Sequence, residues 1–180
     1  MVGEKNGILP LPKPLMNVLN VIINLLRSVP FLILMVLVIP LSRVVLGTSI
    51  GTVATIIPLI VAAFPFVARL VEASLREIDK GVVEAAQAMG CSPFQIIWKV
   101  MLPESLPSLI TGFTTAFITI LSYGAMAGAI GGGGLGSMAL NLGYQRRMFI
   151  VLWVSVIVLV ILVQIFQTIG THFRSHWIAA

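Results

Sequence analysis

The chain has 180 residues, of which 58% are hydrophobic and 9% charged, with a mean hydropathy of +1.09. A soluble domain carries about 25% charged residues, so this chain cannot solvate its own surface and lipid is its expected solvent. The net charge of +5 reads as topology-setting lysines and arginines in membrane loops, not as a nucleic-acid footprint, and the one cysteine, Cys91, excludes an intrachain disulfide or a cysteine zinc cluster.

No cleavable signal peptide is evident. Residues Met1 to Pro14 are polar and proline-rich, and the apolar run that follows is too long and too often interrupted by proline for a signal sequence. Crossing a bilayer takes about 20 apolar helical residues, and four segments qualify: 15–46, 50–71, 106–130 and 149–169. The first contains Arg27, Pro30, Pro40 and Arg43, and a kink or tilt is expected near Pro30. The second contains Pro58 and Pro65. The third is rich in Thr, Ser, Gly and Ala. The fourth has an almost purely aliphatic stretch at 151–163, as a lipid-facing helix would. Prolines inside apolar segments strand backbone carbonyls that lipid cannot satisfy, which favours a bundle with broken or moving parts over a simple anchor.

Placing the polar stretch 70–104 in the cytoplasm puts Lys5, Lys13, Arg27, Arg69, Arg76, Lys80, Lys99 and Arg174 at inner ends. Arg43, Arg146 and Arg147 then fall outside. This balance implies cytoplasmic N- and C-termini and a cytoplasmic central loop.

That loop, 72–104, has the punctuation of two short helices. Asp79 can cap a helix running through Met89, with Val82, Ala86 and Met89 on one face. Ala85 and Ala86 are small enough to let another surface approach the backbone. Gly90 supplies a left-handed stop. Ser92, Pro93 and Gln95 form a restart with a capping box. The second helix carries Ile96, Ile97 and Val100 towards Leu102 and Pro103, after which Ser105 and Pro107 open the third span. Such a loop either docks a partner or lies as an amphipathic surface on lipid headgroups.

Catalytic and metal-binding signatures are missing. No Gly-x-x-x-x-Gly-Lys-Ser/Thr loop is present, and the run Gly131–Gly136 reads as a tight external turn. His172 and His176 do not complete a metal site, and Cys91 reads as a bystander in a reducing compartment. No nucleophile–base set or paired carboxylates stand in a span, so neither an enzyme nor a resident cofactor is expected. No Asp or Glu occupies the apolar middle of a span, which disfavours a proton- or sodium-driven carrier. In the third span Thr115, Thr119, Ser122 and Met126 form a helical stripe. Small and hydroxyl residues are the usual glue between membrane helices, so packing is the first reading and a pore lining the second. Ser122, Tyr123 and Met126 are the candidates for a translocation path or gate.

The loop's spacing is specific. Glu84-Ala85-Ala86, three residues, Gly90, nine residues, Val100, one residue, then Leu102-Pro103 resembles the EAA loop of ABC importer permeases, with Val100 where the family usually has Ile. Four further segments, at 27–31, 47–51, 65–69 and 128–136, resemble the methionine-importer subgroup, and the resemblance covers nearly everything from about Asn17 onward. It implies an all-α, polytopic transmembrane bundle of the type I importer kind, forming a single permease domain over 1–180 in a bacterial inner membrane. It further implies a homodimer with the path between its two copies, a cytoplasmic ATPase as partner, a substrate-binding protein outside, and an amino acid, most specifically methionine, as cargo. ATPase coupling would fall on Glu84, Ala85, Ala86, Gly90, Leu102 and Pro103. Such permeases have five spans and this chain shows four, the absent one being the first, so the start reads as truncated or mis-started. Two other readings stay open: a permease for another small solute, and an inactive truncated fragment or assembly scaffold.

Overall fold

A computed structural model describes residues 12–178, so Lys5 and most of the polar start lie outside the described residues. These residues are helical, with no strand among them. The elements are α1 (Lys13–Ser28), α2 (Phe31–Leu46), a 3₁₀ turn (Val53–Thr55) leading into α3 (Ile56–Arg76), α4 (Lys80–Ala88) and α5 (Pro93–Ile96). A π-turn (Ile97–Met101) then joins α5 to α6 (Leu102–Ala127). A second 3₁₀ turn (Gly128–Ile130), α7 (Gly134–Ser137), a π-segment (Met138–Gln145) and α8 (Phe149–Ile178) complete the chain.

Three helical runs are long and apolar enough to cross a bilayer: Val53–Arg76, Pro93–Ile130 and Phe149–Ser175. The first apolar stretch is not one kinked helix. It is two helices bent by 113°. The corner falls at Val29-Pro30, where Val29 is extended and Pro30, at φ −55° and ψ 137°, caps α2. A residue before proline is pushed out of the helical region, so α1 must end there. The corner is also held by a contact far along the chain. Phe31 stacks on Tyr123 of α6 with ring centroids 4.3 Å apart and planes 7° apart.

α3 and α6 run antiparallel with a well-defined register. Ser108 Oγ donates to Ser74 Oγ at 3.1 Å, and Gly112 lets Leu70 lie directly on the α6 backbone. Pro58 and Pro65 are fully buried on one side of α3, seven residues apart and so on one face. The rings missing a backbone donor therefore turn inward, towards neighbouring helices. α8 crosses α6 where Gly170 meets Thr114 and where Phe117 packs on Phe166, centroids 4.2 Å apart. Most of α8 is exposed apolar surface, including Ile150, Trp153, Val154 and Ile157. In water that would be prohibitive, whereas in lipid it is solvation.

At the end of the bundle away from the α4–α5 loop, the glycine run folds the chain back on itself. Gly131 and Gly133 take φ of +88° and +74°. The Gly51 N–H donates to the Gly131 carbonyl at 3.1 Å, and the Gly132 N–H to that of Ala127 at 2.9 Å. These bonds satisfy backbone groups that an apolar surrounding could not. Gly128 lies against the Gly136–Ser137 backbone and Gly136 against that of Ala125, so closely that a methyl group on either would overlap backbone.

Gly136→Ala should therefore destabilise the detergent-solubilised chain by about 2 kcal/mol or more, since the carbonyl of Ala125 cannot swing away as a side-chain tip can. Gly124→Ala, inside α6 with its methyl meeting nothing within 4 Å, should be neutral or stabilise by up to about 1 kcal/mol. Paired thermal melts in one detergent check both.

Candidate functional site: the α4–α5 docking loop

The loop begins where α3 ends at Arg76. Asp79, in extended conformation, caps α4 by accepting the Gly81 N–H on its carboxylate at 2.7 Å. The other end of α4 closes in a Schellman motif. The Cys91 N–H donates to the Ala86 carbonyl at 3.2 Å, the Gly90 N–H donates to that of Gln87 at 2.9 Å, and Gly90 has φ +77°. The next residue starts α5. Ser92 Oγ accepts the Gln95 N–H at 3.4 Å, and Gln95 Oε1 accepts the Ser92 N–H at 2.9 Å, a complete capping box with Pro93 in the first turn. Stop and start thus share three consecutive residues, Gly90-Cys91-Ser92, which leaves little slack between the two helices.

Beneath the turn lies a small core. Ile78, Ala86, Ile96 and Met101 are almost completely buried, with Leu75, Val83, Cys91, Ile97 and Val100 packed around them. Burying an Ile or Met side chain contributes roughly 1.5–3 kcal/mol, so the loop carries its own fold. The members come from the end of α3, from α4, from α5 and from the turn before α6. One cluster therefore fixes the loop to both long helices.

The second loop helix does not end before the third span. α5, the π-turn and α6 form one helical run, Pro93–Ile130. In a regular α-helix the ring of Pro103 would clash with the carbonyl four residues back, that of Lys99. Here the Leu102 N–H reaches back to the Ile97 carbonyl, a wider π-type turn that lets the helix pass through Leu102 and Pro103 unbroken. Leu102-Pro103 is therefore inside the rod that joins loop to span, not at a boundary before it.

Ala86 also lies elsewhere than a docking face would require. It shares a helical face with Val82 and Met89, yet Ala86 is 2% exposed while Val82 and Met89 are 40% and 76% exposed. The surface that approaches the small Ala86 is the chain's own, with Ile96 and Met101 in the same cluster. Glu84, Ala85 and Gly90 are exposed, as is Pro103; Leu102 is half-buried. What the loop presents to solvent is a group that sequence spacing did not single out. Phe94 and Trp98, 69% and 56% exposed, pair with ring centroids 6.0 Å apart, and Met89 is exposed as well. The signal was available, since two aromatics four residues apart, opposite Ile96 and Val100 on a capped helix, mark a second apolar face.

The candidate path residues separate. Ser122 and Met126 are exposed on α6 and line a groove of about 520 Å³ against α8, with Gln164 as another polar wall. Tyr123 points elsewhere, into the stack with Phe31. The hydroxyls of Thr111, Thr115, Thr119 and Ser122 each donate to the carbonyl four residues back on their own helix, at 2.8–3.0 Å. Of these, Thr111, Thr115 and Ser122 are exposed. The stripe borders α8 along that groove and a second at Thr111 and Thr115, with its hydroxyl hydrogen bonds already made within its own helix. Among the described residues no three His, Cys, Asp or Glu gather as a metal site, and the side chain of His176 lies outside them.

The described residues thus form a helical bundle with spans long and apolar enough to cross a membrane and, at one end, a folded loop that exposes apolar side chains. Comparison with known proteins gives the family. Residues 7–172 match the model of the binding-protein-dependent transport system inner membrane component, and the chain belongs to that family. It is 50% identical over 167 residues, 93% of this chain and 74% of the relative, to the probable D-methionine transport system permease protein MetI of Vibrio cholerae. It is 44% identical over 158 residues, 88% of this chain and 71% of the relative, to the methionine import system permease protein MetP of Bacillus subtilis. Among solved structures it superposes on an inward-facing MetNI methionine ABC transporter with a TM-score of 0.92 and 44% identity, over 98% of this chain and 81% of that one. The fold is that of a type I ABC importer permease.

Ile96→Ala removes a fully buried side chain from the loop core and should cost about 3 kcal/mol. Because the core lies outside the spans, the expected signature is protease cleavage between α3 and α6 at temperatures where the spans stay folded. Limited proteolysis followed by mass analysis of the fragments checks this.

Proposed function

We propose that this chain is the membrane permease subunit of an ATP-driven importer, that its cargo is methionine, and that two copies enclose the path. The near-complete superposition on an inward-facing methionine transporter carries the reading. In this account the α4–α5 loop and both termini face the cytoplasm. A separate ATPase subunit seats on the loop, and a substrate-binding protein delivers cargo at the glycine-rich end. The chain itself has no nucleotide-binding loop and hydrolyses nothing.

The loop geometry supports a division of labour. Gly90 and Ala86 shape the loop; Glu84, Ala85, Met89, Phe94 and Trp98 meet the ATPase; Leu102 and Pro103 sit in the rod that carries its movement into α6. Aromatic side chains on a rigid support are good anchors, because they bring apolar area at little cost in ordering. When the two ATPases close on ATP, both loops move together, and the spans change from opening inward to opening outward. Ser122 and Met126, exposed on α6 with satisfied neighbours, are the proposed path residues. Tyr123 is proposed to hold the α1–α2 corner against α6, so that the corner follows α6 when it moves.

The test is uptake of labelled methionine into cells lacking their own methionine importer, expressing this chain with its ATPase and binding protein. ATP-dependent uptake is expected, competed by unlabelled methionine more strongly than by other amino acids; uptake competed better by another amino acid would reassign the cargo. Two variants read the loop. A methyl on Gly90 meets nothing within 4 Å, so the demand there is conformational. Asn tolerates the left-handed region and Val does not. Gly90→Asn should keep most uptake, and Gly90→Val should lose it while remaining in the membrane. Phe94→Ala with Trp98→Ala should reduce ATPase pull-down by about tenfold or more, as loss of a hot-spot pair does. Met126→Ala should leak substrate or hydrolyse ATP without moving it, measured as methionine moved per ATP.

A further inference from the structure

α1 is held to the bundle by little. It has no buried residue, and only Met16, Ile23 and Leu26 along it are half-buried. Its firm attachment is polar. Arg69, on α3 two turns before the docking loop, donates through Nη2 to Asn20 Oδ1 and to Asn24 Oδ1, each at 3.0 Å. Its Nη1 pairs with Glu72, and Glu72 is also engaged by Arg76 at 2.9 Å. Asn20 and Asn24 are one turn apart on α1, so a single guanidinium nitrogen bridges them while the other is anchored on α3's own carboxylate. The guanidinium side chain is only 23% exposed, and its planar fork gives fixed geometry that an ammonium lacks.

The far end of α1 runs into the 113° corner, and just beyond the corner Phe31 stacks on Tyr123. The near end of the linkage, α3, terminates in the loop core through Leu75 and Ile78. We infer that Arg69 is a positioning residue for transport: it clamps α1 to α3, so that movement of the docking loop is passed through α3 to α1 and the corner. The inference rests on the importer reading for its transport readout and on geometry alone for its second readout. Without the clamp, α3 moves and α1 lags, and ATP is spent without displacing the corner.

Two measurements test it on the full complex with its ATPase in proteoliposomes. The first is methionine moved per ATP hydrolysed. Arg69→Gln should lower this ratio at least about fivefold, the low end of a coupling free energy between two sites, with ATPase rate and complex yield near the parent's. The pair Asn20→Ala and Asn24→Ala, cut from the other side of the contact, should give the same loss. Combining it with Arg69→Gln should add nothing, as expected for one shared interaction. Arg69→Lys, which keeps the charge without the fork, should fall between. The second is the distance between spin labels at Val18 and Ala73 in a Cys91→Ala background. It should hold constant between nucleotide-free and ATP-bound complexes in the parent and change in Arg69→Gln. An unchanged ratio in the Arg69 and Asn variants, losses that multiply when combined, or a label distance indifferent to Arg69→Gln overturns the clamp. If Arg69→Gln fails to accumulate, the asparagine pair decides. If the parent moves no methionine, the cargo reading fails and the label distance still decides the clamp.

Discussion

Four buried side chains outside the bilayer, Ile78, Ala86, Ile96 and Met101, hold together everything the loop is proposed to do. The loop lies where water can compete for every backbone hydrogen bond, and α4 and α5 are far too short to be stable alone. Caps at Asp79 and Ser92 and the turn at Gly90 set the helix ends, but each contributes only about 1 kcal/mol. The cluster adds the apolar burial that makes the loop one body. Because Leu75 of α3 packs against the cluster and Met101 sits in the π-turn that runs on into α6, the same contacts that fold the loop also fasten it to two long helices. A partner pressing on the loop tip thus presses on both helices.

The opposite end of the bundle solves a different problem. There the chain must turn back within or near lipid, where no solvent satisfies stray N–H and C=O groups. Glycines allow backbone to lie directly on backbone, and the bonds from Gly51 and Gly132 close the return. Along α6 the hydroxyls bond to their own helix, so the polar stripe leaves no hydroxyl donor unpaired. One end is held by side-chain burial and the other by backbone proximity. A loop proposed to dock and a turn that must stay thin call for these different means.

What could be read from sequence divides by the range of the interaction. The Asp79 cap, the Gly90 stop and the Ser92–Gln95 box are set by residues two to five apart, and all three stand in the structure where their residue types place them. The all-helical class and the apolar runs were equally legible. The orientation of Ala86 was not, because periodicity defines a face without saying what covers it, and the cover comes from Ile96 and Met101 ten and more residues on. Ser105 and Pro107 looked like the start of a span, whereas a π-turn lets the helix run on through Pro103 and Pro107 lies inside α6. Pro30 announced a break, but not a 113° corner, nor that Phe31 beyond it would stack on Tyr123, over ninety residues away. Nothing local in Asn20, Asn24 or Arg69 reveals that they meet.

The most direct test of this account is amide hydrogen exchange on the purified chain alone, without its ATPase. A loop with its own core predicts that the amides of Met89, Gly90 and Cys91, bonded to α4 carbonyls, exchange slowly, together with those at the end of α3 and the start of α6. Exchange at the rate of an unstructured peptide, slowing only when the ATPase is added, would contradict it: the loop would then be folded by its partner and not by Ile78, Ala86, Ile96 and Met101.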